Sequence, residues 1–111
     1  MKKIKKPKKS KAGINTSAKG ARRERQARDR LYAMGAYEVI KAGGSKGIFD
    51  LWGVFPGELV LVQVKSNTWP GSEEMMRLQR FPNLSYIKKL VWRYKDGVKE
   101  PDEMVVHGID V

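Results

Sequence analysis

The nine residues Glu58–Ser66, ELVLVQVKS, constrain the fold more than any other stretch of this chain. Apolar residues recur there at every second position, the period of a strand and not of a helix. Val60, Val62 and Val64 share one dry face. Leu59, Leu61, Gln63 and Lys65 share the other, which starts apolar and turns polar where Gln63 and Lys65 stand, about 7 Å apart along the strand. A solvated face is polar along its whole length. This one changes character at its C-terminal end.

Ile48–Phe55 reads as the partner strand, joined to Glu58–Ser66 at Pro56-Gly57. A two-residue connection sets Asp50 across from Gln63, with Cβ atoms about 5 Å apart on a shared face. Asp50, Gln63 and Lys65 then form one patch, and Trp52 and Leu61 make its apolar floor. Pro-Gly favours a type II turn, so a bulge is the alternative that shifts this register.

The remaining elements follow from local signals. Thr16 or Ser17 caps a helix running to about Met34, which Gly35 ends. Tyr37–Ala42 is a strand, followed by a loop at Gly43-Gly44-Ser45-Lys46-Gly47. Ser72 caps a short helix, EEMMRLQRF, which Pro82 ends. Tyr86–Tyr94 is a strand, Asp96-Gly97 a turn, and Met104–Val111 a last strand. The sequence shows no internal repeats. The order is helix, three strands, helix and two strands: an α/β fold with a small central mixed sheet.

Charge narrows the class of partner. Of the +11 formal charge, 7 belong to lysines within Met1–Lys11, which leaves a body of +4. Residues 1–15 read as a disordered basic tail and residues 16–111 as one folded domain. Such a balance favours polyanionic partners: DNA, RNA or an anionic membrane surface. No stretch has the apolar length of a membrane span and no secretory leader is visible, so a cytoplasmic protein is expected. Cysteine is absent, which excludes disulfides and thiolate metal sites. A lone histidine, His107, builds no zinc site by itself.

The first helix adds a carboxylate. At 100° per residue, Glu24 falls within the stripe of Ala21, Ala27, Leu31 and Met34. A carboxylate there needs a partner. Arg28, four residues on, is the plain one; a shared site with Asp50 is the other. Magnesium takes oxygen donors from one or two carboxylates, water and phosphate, which suits Asp50 and Glu24. Lys65 beside them can orient water or neutralise charge on a phosphate. The competing account of Asp50 and Lys65 is a cross-strand ion pair.

An acid at the end of the second strand, a dozen residues, then acid-x-Lys in the third strand resembles the signature of the PD-(D/E)XK nuclease superfamily. Here it stands as Phe49-Asp50 and Gln63-Val64-Lys65. The element order is similar to that superfamily's αβββαβ restriction-endonuclease-like core. Residues 19–65 further resemble the archaeal-type Holliday junction resolvases, a group with phage-encoded members, through Lys19-Gly20, Glu24-Arg25 and Gly44-Ser45. The resemblance implies a homodimer that cuts four-way DNA junctions by magnesium-dependent hydrolysis, with manganese substituting. It assigns catalysis to Glu24, Asp50, Gln63 and Lys65, with Ser45 in support. Asp50, Gln63, Glu24 and the Val64 main-chain carbonyl are the implied metal ligands.

The sequence departs from the pattern twice. Phe49 replaces the signature proline, and Gln63 replaces the second acid. Glutamine-x-lysine is also found in nucleases resembling the Mrr restriction group. A restriction-like or flap nuclease is therefore one alternative, and a non-catalytic basic nucleic-acid-binding module is another. Lys19, Arg22, Arg23, Arg25 and Lys46 border the expected site and are candidate phosphate contacts; a solvated basic face is the plain reading. Trp69 stacks on a substrate or packs on the sheet. Met75, Met76, Leu78 and Phe81 belong to core or to a dimer seam.

Overall fold

The alternation at Glu58–Ser66 places that segment in the middle of a five-stranded sheet in the computed structural model, which describes residues 11–42 and 48–108. The elements are α1 (Lys11–Ala33), β1 (Glu38–Lys41), β2 (Leu51–Phe55), β3 (Glu58–Ser66), α2 (Ser72–Arg80), β4 (Ile87–Tyr94) and β5 (Asp102–Val105). The strands lie side by side in sequence order. β1, β2 and β3 form an antiparallel meander, β3 and β4 run parallel, and β5 returns antiparallel. A parallel pair needs a crossover, and α2 lies in it. The fold is mixed α/β.

Strand alternation divides the core in two. Ala27 and Leu31 of α1 are fully buried against Val60, Val62, Leu90 and Trp92 on one face of the sheet. Leu78 of α2 meets Leu61, Val91 and Phe49 on the other. Trp52 and Leu61 do form an apolar floor on the α2 side. Gly53 lets α1 come close, because a Cβ there would stand 3.1 Å from both Leu31 and Phe55.

Local signals set several boundaries. Gly35 adopts φ +112 at the end of α1, where Ala36 N–H donates to the Leu31 carbonyl and Gly35 N–H to that of Tyr32. This is the paired bonding of a glycine C-cap, and it satisfies carbonyls that a helix end otherwise leaves open. Gly57, with φ +72, turns the hairpin, and the pairing runs from Phe55–Glu58 to Leu51–Val62 without a shift. Gly97 likewise has a positive φ in the turn after β4.

Other boundaries differ from expectation. α1 begins at Lys11 and is not capped at Thr16 or Ser17. Extending a docked helix fixes few new dihedrals per added bond, so it continues until an opposing signal appears. Ser72 is the first helical residue of α2; Gly71, in an extended conformation, occupies the N-cap without a side-chain bond. β5 spans Asp102–Val105 and not Met104–Val111. Two polar pairs fix its earlier start: Arg93 donates to Asp102 at 2.6 Å and the Trp92 indole to Glu103 at 2.8 Å.

Lys89 lies in the buried stretch of β4 and is 2% exposed. Its ammonium donates to the carbonyls of Leu78, Gln79 and Phe81 at 3.2, 3.3 and 2.9 Å. These carbonyls belong to the last turn and the C-cap of α2, where a cation is favoured; that of Leu78 also accepts the Phe81 amide. Lys89 therefore ties α2 to the sheet.

Candidate active site

β2 begins at Leu51, three residues later than the alternation predicts, and the cause lies at Asp50. Its amide donates to the Val62 carbonyl at 2.8 Å, one residue out of step with the Leu51–Val62 pairing. Such a slip bends the strand as a β-bulge does. Asp50 is thus not paired squarely with Gln63. Its carboxylate turns to the main chain of β3 and accepts the Val64 N–H at 2.7 Å. The Ala42 amide donates to the Asp50 carbonyl at 3.0 Å, which fixes the residue from the β1 side as well. A strand residue's N–H and C=O point to the same edge, so the Val64 carbonyl faces the edge that β2 leaves here.

The Asp50 carboxyl is held above its ordinary value of 3.8. Burial raises it most, and the Val64 amide opposes that shift. Glu24 and Glu74 raise it further, while Lys65 lowers it. Three carboxylates and an ammonium therefore share one electrostatic neighbourhood around the end of β2.

Glu74, in the first turn of α2, was not among the residues singled out from the sequence. Gln63 donates its amide nitrogen to one Glu74 oxygen at 2.7 Å, and Lys65 donates to the other at 3.1 Å. Lys65 pairs with Glu74 and not with Asp50, so the competing account of a cross-strand Asp50–Lys65 ion pair does not hold. Gln63 is 9% exposed, and its Oε1 is buried without a hydrogen-bond partner. A signal for Glu74 was present: it precedes buried Leu78 by four residues and so shares its inward stripe. That is the same reasoning that selected Glu24.

Glu24 is half-buried and pairs with Lys41 of β1 at 3.3 Å, not with Arg28, which reaches Asp29. Its stripe is also narrower than the wheel suggests. Ala27 and Leu31 are buried, whereas Ala21 and Met34 are exposed. Beside Glu24 lies an open cavity of about 310 Å³ whose wall includes Arg25, Arg28, Lys41 and Leu51.

The predicted phosphate contacts separate into two groups. Arg22 and Arg25 are exposed. Arg23 is 5% exposed, donates to the Lys95 carbonyl and Gln26, and lies over the Tyr94 ring. Lys19 pairs with Asp96 at 2.9 Å, and Arg23 reaches the same carboxylate at 3.4 Å. Lys19 and Arg23 thus clamp α1 to the turn after β4, and Arg23 has little surface to offer a phosphate. Ser45 and Lys46 lie outside the described residues. Trp69 packs on the α2-side core under the Arg93 guanidinium, 4.3 Å from its ring centre. Leu78 is core, Met76 is exposed, and so is His107.

Asp50, Gln63 and Glu74 carry oxygen atoms of the kind a hard divalent cation prefers, with Lys65 beside them; the Gln63 atom that faces Glu74 is the amide nitrogen, so its oxygen joins the set once the amide turns over. The unpartnered Gln63 oxygen is the observation that fits a cation. Among the described residues no three Asp, Glu, His or Cys side chains are gathered as a metal cluster, so such a set must include the amide. No helix of the described residues is long and apolar enough to cross a membrane. No family model, curated protein or solved structure matches this chain.

Proposed function

We propose that this chain is a magnesium-dependent DNA endonuclease with a restriction-endonuclease-like core, acting on four-way junctions as a homodimer. One observation carries the reading: the Asp50 carboxylate sits on the Val64 main chain between the two residues of the Gln63-x-Lys65 pair. The order of elements and the parallel β3–β4 pair with α2 in its crossover support it.

Asp50, Gln63 and the Val64 carbonyl would hold magnesium, with Glu24 supplying charge from α1. When bound, the cation polarises the scissile phosphodiester and acidifies a water. Lys65 would hold the attacking water or a phosphate oxygen by a charge-assisted bond, releasing Glu74 to do so. Asp50 keeps its position through the Val64 amide. Arg22 and Arg25 engage backbone phosphates, which give register but no sequence preference. Mrr-like chemistry on another DNA structure is the second reading, favoured by glutamine at position 63.

Cleavage of a four-way junction, linear duplex, flap and single strand, compared with magnesium at one fixed salt concentration, tests the proposal. Fixed salt matters because all DNA affinity falls with it. Paired nicks at the junction are expected, abolished by Asp50→Asn and by Lys65→Ala while binding persists. Equal cutting of duplex or flap points to the restriction-like reading. Salt-sensitive binding without cleavage, in magnesium or manganese, leaves a non-catalytic module.

A further inference from the structure

We infer that Glu74 is the second anionic ligand of the divalent cation, placed on α2 because β3 carries glutamine where a carboxylate would stand. This rests on the nuclease reading above. The juxtaposition is specific: one Glu74 oxygen takes the Gln63 amide and the other takes the Lys65 ammonium. A single carboxylate from a different element thus bridges both polar residues of the strand's C-terminal end.

The helix geometry makes that bridge informative. Gly71 is the N-cap of α2, so Glu74 stands at the third helical position, where glutamate ordinarily reaches back to the N-cap amide. Both its oxygens go to the sheet instead. α2 has no side-chain cap at this end, and Lys89 fixes the other end to β4. The helix therefore presents Glu74 to β3 rather than using it for its own termination.

The second observation is Gln63 Oε1, buried and unpartnered on the amide whose nitrogen faces that carboxylate; turning the amide over brings the oxygen to a cation held by Glu74. Leaving a buried acceptor unsatisfied is costly, and a cation satisfies it. Asp50 lies near the same point, its carboxylate on the Val64 amide adjacent in sequence to both donors. Two carboxylates and an amide oxygen give the charge and donor type that magnesium or manganese selects, leaving other positions to water and phosphate. Lys65 neutralises Glu74 in the structure; a cation held by Glu74 would take over that charge and leave the ammonium to face the phosphate.

Manganese binding by titration calorimetry, read together with the melting temperature of each cation-free variant, tests the assignment. Glu74→Gln preserves size and is expected to bind manganese roughly tenfold or more weakly. Gln63→Glu combined with Glu74→Gln returns the carboxylate to the strand and is expected to recover affinity close to that of the native chain. Native affinity in folded Glu74→Gln overturns the inference. So does a folded double variant that stays as weak as Glu74→Gln. If the unmodified chain binds and cleaves and Glu74→Gln does the same, the nuclease reading stands and only Glu74 is removed. A native chain that takes no manganese removes both.

Discussion

The Asp50 carboxylate accepts the Val64 amide at 2.7 Å, where β2 departs from β3. The side chain takes over a place on the β3 edge that the next residue of β2 would have filled. Asp50 is thereby both part of the sheet's hydrogen bonding and one of the acids of the candidate site. The Val64 amide favours its ionised form, and burial opposes it more strongly.

The raised carboxyl predicts a stability cost for ionised Asp50. Between 3.8 and the higher folded value, the native state holds a proton that the unfolded state has released. Stability therefore falls as pH rises through that window and stays lower above it. Asp50→Asn keeps an oxygen for the Val64 amide and removes the charge facing Glu24 and Glu74, though it also removes the attraction of Lys65. The variant should melt higher than the native chain at neutral pH, with the gain fading on acidification towards 3.8. A lower melting temperature at neutral pH would contradict this.

Lys89→Met should weaken the fold by about 2–4 kcal/mol, because two carbonyls of α2 and that of its C-cap Phe81 lose a charged donor while buried volume is nearly kept. Urea unfolding with an unchanged slope measures it. A loss below about 0.5 kcal/mol would mean that α2 is held by its apolar stripe alone.

Gly53→Val should cost about 1–3 kcal/mol by forcing side-chain bulk against Leu31 and Phe55. Leu31→Ala alone removes a fully buried side chain and should cost about 2–5 kcal/mol. Combined, the two should cost less than their sum by at least about 0.5 kcal/mol, since the truncation makes room for valine. Strict additivity would show that α1 does not rest on Gly53.

Arg23 and Arg25 differ by two positions and should behave oppositely. Arg23→Ala loses bonds to Lys95 and Gln26 and should destabilise by about 1–3 kcal/mol. Arg25→Ala should leave stability within about 0.5 kcal/mol. Its junction affinity should fall, and the salt dependence should ease by about one unit of slope. An unchanged salt slope would take Arg25 out of the DNA contact.

How much was legible differs from element to element. The faces of β3 and its hairpin register with β2 could be read directly, because side chains on a strand alternate and Pro56-Gly57 counts out the pairing. The bulge at Asp50 could not, since no residue there advertises a departure. Helix faces were partly legible. The 100° wheel placed Ala27 and Leu31 inward correctly, but it overextended the stripe to Ala21 and Met34, because it cannot tell how long a sheet lies beneath a helix. It also could not say that Glu24 would meet Lys41 of β1 rather than Arg28 of its own helix.

By itself the sequence determined which residues alternate, which turn positions need glycine, and that Asp50, Gln63 and Lys65 stand near one strand end. These are properties of neighbours along the chain, set by covalent geometry and short-range sterics. Only the tertiary structure decided that Glu74 answers Gln63 and Lys65, that Lys89 closes α2, and that Arg23 is spent on the turn after β4. Those contacts join separate elements, and their geometry exists only once burial of two apolar faces has fixed where each helix lies on the sheet.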